Sequence, residues 1–338
     1  MPVVRCLALA LAAALAACVG CKSRTGSPDV VVYTSVDQVF SEPVFRDFEK
    51  SSGVRVRAVY DTEETKSTGV LNRLIAEGAH PLADVFWSGD SVRPFQLIKR
   101  GFVEPYSSPA ASGLPASARA PDRTWTGFAA RARVLIVNKT KVAAAEMPRS
   151  VSDMVSPQWR GKVAIANPLY GTTTMHVAAL FAVWGEDKTK SFLNGLKANQ
   201  ARIASSNGEV KRLVVSGEVS WGIADTDDAH EAQRESSDIE VVYPDQDGMG
   251  VLVIPTATVV LRGCPHPDQA KKLVDYLVSA EVEQKMASTA AHMPLRPGVV
   301  APPSVRTATS VKSMQVDYGR VAFEMEAQQA WLRQWMGM

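Results

Sequence analysis

The stretch VVVYTSVDQVFSEPVFRDFEKSSGVRVRAVY, residues 30–60, decides the architecture. Val30 to Ser35 is a β-branched run ending in small hydroxyl residues, the pattern of a buried parallel strand that opens into a loop. Pro43 to Lys50 places Val44, Phe45 and Phe48 at helical spacing, and Ser51-Ser52-Gly53 predicts a stop. Val54 to Tyr60 alternates and predicts a second strand. The same alternation of elements continues outward. A helix is predicted over 68–78, with Val70, Leu71, Leu74 and Ile75 on one face, a strand over 83–88 and a helix over 91–100. Strand and helix in turn make a doubly wound α/β lobe, whose ligands sit outside the carboxyl ends of the strands.

Beyond a Pro-, Ala- and Ser-rich span at 105–121, Gly127 to Asn138 reads as a long strand leaving this lobe. A second α/β pattern runs from Gly161 to about Pro244, and 250–255 with 257–262 predict a return crossing. Residues 267–289 form an amphipathic helical pair and 318–336 a C-terminal helix. The expected fold is α/β, two-lobed, with two crossing strands as hinge and a central ligand cleft. Lobe 1 is expected to comprise 30–132 plus 252–300, and lobe 2 comprises 133–251 plus 301–338 with the C-terminal helix.

Residues 1–17 have the parts of a secretory signal: Arg5, an apolar run from Cys6 to Leu15, and small residues before a cysteine. That run is shorter than the roughly 20 residues a membrane-spanning helix needs. Leu15-Ala16-Ala17-Cys18 resembles the lipobox of bacterial lipoproteins, which implies cleavage before Cys18, its lipidation, and stable anchoring to a membrane. Residues 18–29 read as a polar, lipidated tether, so the protein is expected in the periplasm or at the cell surface. The chain of 338 residues has 37 Lys plus Arg against 35 Asp plus Glu, without the basic excess of a nucleic-acid binder. Three of its four cysteines fall within the first 21 residues, so Cys264 stands alone in the body and no disulfide framework is expected beyond a pairing with Cys21.

The order of segments resembles the solute-binding proteins of bacterial ABC importers with the type 2 periplasmic binding fold, and most of all their ferric-ion-binding branch. The stretches that carry the resemblance are 30–56, LADVFWSGD (82–90), GFAARARVLIVN (127–138), RGKVAIANPLYGTTTMH (160–176) and SGEVSWGIADTDDA (216–229), with the helix at 268–286. It implies a monomeric receptor that captures a small ligand between two lobes and hands it to a permease and its ATPase. Ferric-binding members usually place a His shortly after the first strand, where this chain has about Asp37. Many place a Glu after the third strand, where it has Ser88-Gly89-Asp90. They use two adjacent tyrosines where it has Asp225-Thr226-Asp227-Asp228. Phenolate suits Fe(III), but carboxylates are hard oxygen ligands too, so Fe³⁺ or another cation with a bound anion remains an expected ligand. Asp37, Asp227 and Asp228 are the candidate metal ligands.

Gly171-Thr172-Thr173-Thr174 opens a predicted helix, and backbone N–H groups with hydroxyls at such an end suit a carboxylate, phosphate or phosphonate. A plain Thr cap is the alternative. The clustered Asp225, Asp227 and Asp228 need their repulsion relieved by a metal, a ligand ammonium group, or cations such as Arg131; otherwise they form a solvated loop capping the next helix. Ser35, Asp37 and Asp90 are expected to approach the ligand from lobe 1, and Thr172, Thr173 and Asp227 from lobe 2, with an amide from Asn207. Trp87 and Tyr170 either pack on a ligand or belong to the core. Acids beside an anion-binding turn favour a ligand of both signs: an aminoalkyl phosphonate, or a cation carried with an anion. The five histidines are scattered and form no HExxH, and no GxSxG occurs, so catalysis is not expected.

Overall fold

Val30, Val32 and Tyr33 are all buried, as a strand covered on both faces requires. In the computed structural model, which describes residues 29–61 and 68–338, this strand is β1 (Asp29–Thr34). It lies parallel between β2 (Arg55–Tyr60) and β3 (Val85–Ser88). Helix α1 (Gln38–Ser52) follows β1, α2 (Gly69–Glu77) follows β2, and α3 (Pro94–Lys99) follows β3. One face of this sheet packs Val30, Val32, Phe45, Phe48 and Trp87, and the other packs Tyr33, Leu71, Leu74, Phe86 and Leu97. Trp87 stacks on Phe128 at 5.6 Å and meets the edge of Phe45 at 5.6 Å, so this tryptophan belongs to the core and not to a ligand site.

The first helix starts five residues earlier than predicted. Pro43 reads in sequence as a helix start, yet it lies inside α1, where it forgoes the bond to the carbonyl of Val39 on an exposed turn. Past the short β4 (Val103–Glu104), β5 (Thr126–Asn138) is buried along all 13 residues. Its first half pairs antiparallel with β10 (Val253–Leu261), which in turn borders β3. Its second half pairs antiparallel with β8 (Trp221–Asp225) and β9 (Ile239–Val242). The order β2-β1-β3-β10-β5-β8-β6-β7 results, with β6 (Val163–Ala166) and β7 (Arg202–Ala204) parallel at the far side. One strand thus runs through both halves of the molecule.

Helices α4 (Gly171–Trp184) and α5 (Glu186–Ala198) follow β6, α6 (Asn207–Val215) follows β7, and α7 (Thr226–Glu235) follows β8. Leu135, Val137, Ile165, Met175 and Trp221 fill one face of this second half; Val134, Ile136, Ala164, Val210 and Ala224 fill the other. The predicted helical pair is α8 (Pro267–Leu277) and α9 (Ala280–Ala290). The single C-terminal helix of the sequence reading is two, α10 (Tyr318–Ala327) and α11 (Gln329–Met336), broken at Gln328. The return crossing is one strand, in which Pro255 pairs with Ala130 beside the register shift between Pro255 and Thr256. Gly222 of β8 lies so close to Val210 that an added Cβ would stand 2.5 Å from its Cγ1 and 2.8 Å from the carbonyl oxygen of Ala164. Gly222→Ala is therefore expected to cost about 1–3 kcal/mol, as overpacking does, seen as a lower urea midpoint at unchanged slope.

Candidate functional site

Loops at the carboxyl ends of β1, β2, β6, β7 and β8 converge on one cleft of about 410 Å³. Ser35, Asp37, Val39, Phe40 and Asp61 line it from the first half. Asn167, Tyr170 to Thr173, Ser205 to Gly208, Asp225, Asp227, Asp228 and Glu231 line it from the second, and Arg131 of β5 lies between them. Of the sequence-predicted residues, Ser35, Asp37, Arg131, Gly171, Thr172, Thr173, Asn207, Asp225, Asp227 and Asp228 meet here.

Asp90 does not. It is fully buried outside the cleft lining, paired with Arg93 and accepting from the backbone N–H groups of Val92 (3.0 Å) and Arg93 (2.9 Å). Its Oδ1 holds the turn before α3 and its Oδ2 the Arg93 guanidinium, local roles that its position after a strand did not distinguish from ligand binding.

A β-bulge aims the strand that carries the arginines. Ala130 pairs with Pro255 and Phe128 with Thr256, which leaves Ala129 unpaired at φ 44°. Buried groups hold that bulge: the Ala129 N–H donates to Glu283 at 3.1 Å, and its carbonyl lies 2.9 Å from His292 Nδ1. Two residues on, Arg131 and Arg133 share the face of Leu135 and Val137. Arg133 was missed in sequence, although a second buried charge at i+2 in an otherwise apolar strand was a readable signal.

Both guanidiniums close on Asp225. Arg133 Nη1 donates to Asp225 Oδ1 at 2.7 Å, to Thr172 Oγ1 at 3.1 Å and to Asn207 Oδ1 at 3.1 Å, while Nη2 donates to Thr173 Oγ1 at 3.2 Å. Arg131 Nη1 donates to Asp225 Oδ2 at 3.0 Å and Asp227 Oδ2 at 3.4 Å, and Nη2 to the carbonyl of Gly89 at 2.5 Å. Thr172 Oγ1 also donates to Asp225 Oδ2, at 2.7 Å. Burial by itself would raise the Asp225 pKa, but the two arginines and the hydrogen bonds from Arg133 and Thr172 outweigh it and hold the carboxyl below its usual range. Arg131 is pushed the other way: desolvation lowers it, and the carboxylates of Asp225, Asp227, Asp37 and Asp228 more than reverse that.

Two histidines stand behind this network. Burial, then Arg133, depress the pKa of His176 to about 3; burial, then Arg131, do the same to His292. His292 is therefore uncharged at neutral pH, and the 4.0 Å approach of its Nε2 to Asp227 is no ion pair.

The cleft carries both signs. Gly171 opens α4 at φ +59°, a left-handed conformation that glycine adopts without strain, and no side chain caps this helix. Ser206, in contrast, caps α6 by accepting from the Glu209 N–H at 3.1 Å. Asp227, Asp228 and Glu231 line the cleft from the same half as these ends, and Asp37 and Asp61 line it from the other half. Among the described residues, the acids close enough to share one ion are Asp225, Asp227 and Asp228, with ligand oxygens within 4.8 Å of one another. Asp37 is not in that group: β1 and β8 end on opposite walls of the cleft.

Residues 80–316 match the family described as bacterial extracellular solute-binding protein. The chain belongs to this family. It is 28% identical to iron uptake protein A1 of Synechocystis over 297 residues, 84% of this chain and 81% of that protein. It is 24% identical over 305 residues to a putative 2-aminoethylphosphonate-binding periplasmic protein of Salmonella typhi, 86% of each chain. The iron-bound HitA structure from Pseudomonas aeruginosa superposes with a TM-score of 0.82 at 22% identity, covering 90% of this chain and 99% of that one. The two-lobed fold expected from the sequence is thus that of periplasmic solute-binding proteins. No described helix is long and apolar enough to cross a membrane, and the signal peptide and Cys18 lie outside the described residues.

Proposed function

We propose that this solute-binding protein captures a small zwitterionic solute with a phosphonate- or phosphate-type head, and delivers it to an ABC permease and its ATPase. The observation that carries this reading is the presence, in one cleft, of the uncapped N-terminus of α4 and of acids on both walls. The anionic head sits at Gly171 to Thr173 beside Ser206 and Asn207, and a cationic group meets Asp227, Asp228, Asp37 and Glu231. Ser35 shapes the opposite wall, its Oγ accepting from the Gly89 N–H at 2.8 Å. The lobes, bounded at 132/133 and 251/252, close about the two crossing strands, and ligand stabilises the closed form. Cys18 carries the lipid that keeps a monomeric receptor at the membrane, and the chain performs no catalysis.

Fe(III) carried with an anion is the second reading, favoured by the Asp225-Asp227-Asp228 group and by the relative named for iron uptake. Asp225 weighs against it, since both of its oxygens already accept from Arg131, Arg133 and Thr172. A trivalent ion there would also share Asp227 with the Arg131 guanidinium.

Isothermal titration separates the two. 2-Aminoethylphosphonate is expected to bind, and ethylphosphonate, which lacks the ammonium group, to bind roughly 10–100-fold more weakly through loss of a charge-assisted hydrogen bond. Asp227→Asn should narrow that difference. Tight Fe(III) binding with a phenolate-free spectrum and no response to either phosphonate would establish the metal reading instead.

A further inference from the structure

On the far side of the Tyr170-Gly171 turn lies a second cavity, of about 370 Å³. Tyr170 lines both cavities, and the first turn of α4 separates them: Thr172 and Thr173 line the cleft, Thr174 the second cavity. Its walls come from α2 and α3 (Leu71, Asn72, Gln96) with Arg100 just after α3, from the start of α4, and from α10 and α11 (Met325, Glu326, Arg333).

The charge in this cavity is the reverse of that in the cleft. Arg93, Arg100 and Arg333 line it, against Glu326 as the one lining acid among the described residues. Glu326 is bound by Lys99 at 3.1 Å, and the buried Arg93 is balanced by Asp90, so Arg100 and Arg333 leave an excess of positive charge. One buried donor also lacks a partner. Thr174 is 8% exposed, and its Oγ1 makes no hydrogen bond among the described residues. A buried hydroxyl in this state costs free energy unless something enters to meet it. Arg93 Nη2 reaches across to the carbonyl of Gly171 at 3.4 Å, which ties α3 to the start of α4 beside the cavity.

The geometry points to a second anion site here, taking a phosphate-class oxyanion between Arg93, Arg100, Arg333 and the Thr174 hydroxyl. Guanidiniums from α3 and α11 and a hydroxyl from α4 converge on it, so its occupant holds the first half of the molecule, the second half and the C-terminal helices together. An oxyanion in it therefore favours the closed arrangement that the cleft ligand also favours, and the two sites are coupled with positive sign. The oxyanion is a separate small molecule or the far end of a long solute whose other end lies in the cleft; the chemistry of the site is the same in both cases.

Inorganic phosphate is the probe, titrated calorimetrically into the whole protein at low ionic strength. Phosphate also fits the anion seat of the cleft, so the second site is read as the phosphate binding that remains in an Asn207→Ala background, and its outcome is distinguishable from that of the zwitterion reading. The double variant Arg100→Gln/Arg333→Gln changes two exposed side chains and is expected to fold. It should weaken the phosphate binding that remains in Asn207→Ala at least 10-fold, and Thr174→Val should weaken it several-fold. The same affinity in the double variant as in its Asn207→Ala parent, or loss of phosphate binding in Asn207→Ala alone, overturns the proposal. The source follows from 2-aminoethylphosphonate titrated into the double variant in phosphate-free buffer. Unchanged binding assigns the site to a separate oxyanion and weakened binding to the far end of the same solute, and both support a site at these residues.

Discussion

Asp225→Ala is expected to lower the unfolding free energy by about 3–5 kcal/mol, because it leaves two buried guanidiniums without their shared counter-charge. Arg133 is fully buried and Arg131 is 8% exposed, so water cannot take over from the lost carboxylate. The loss extends to function. Thr172, Thr173 and Asn207 are all bonded to Asp225 or to the arginine it holds, so the proposed anion seat loses its geometry with the carboxylate. In a chain of this size the change lowers Tm by on the order of 10 °C, measurable by calorimetry, and solute binding disappears with it. Replacing both partners of the ion pair is milder than removing one. Asp225→Leu/Arg133→Met should recover part of the stability while binding stays lost. A single variant that melts with the parent would show that Asp225 is not the counter-charge of this network.

Acid should destabilise the protein well before its carboxylates titrate. His176 and His292 have folded-state pKa values of about 3, against an ordinary value of 6.5. Each is neutral when folded and takes up a proton when unfolded once the pH falls below that ordinary value. The unfolded state then binds more protons, so stability is complete above about pH 6.5 and is lost progressively as the pH falls toward 3. Two such groups give a slope of about 2.7 kcal/mol per pH unit well inside that window. Urea unfolding at pH 7, 6 and 5 reads the slope directly, and His176→Gln or His292→Gln should halve it. Equal stability at pH 5 and pH 7 would mean that neither ring is held neutral by its burial and its arginine. Asp225 acts in the same direction at lower pH, since its depressed pKa contributes stability that is lost below the ordinary carboxylate range.

Local pattern made much of the cleft legible. Ser35 follows the β-branched β1, and Gly171, Thr172, Asn207 and Asp225 stand at strand-to-helix junctions of the second half, the edge where the doubly wound rule puts ligands; the position of Asp225 was read from the family resemblance. Asp90 also follows a strand and precedes a helix, but it lies outside the cleft lining, because the turn before α3 and the Arg93 ion pair take both of its oxygens. Arg133, His176 and His292 were not read as site residues, since each lies within a run of buried apolar residues that looks like plain core. Trp87 was ambiguous for the converse reason: an aromatic at a strand end serves a ligand or a core equally well until its neighbours Phe45 and Phe128 are known.

What the sequence determined by itself was the alternation of strand and helix, and with it which ends of the strands face the ligand. Those features depend on residues close together in the chain: β-branched runs, helical spacing, glycine stops. Tertiary structure alone decided that β5 and β10 share a bulge at Ala129, that this bulge sets two arginines on one aspartate nearly a hundred residues away, and that turning past Tyr170 reverses the sign of the charge. Electrostatic pairing depends on distance and burial, and neither is fixed by position along the chain until the strands have been brought into register.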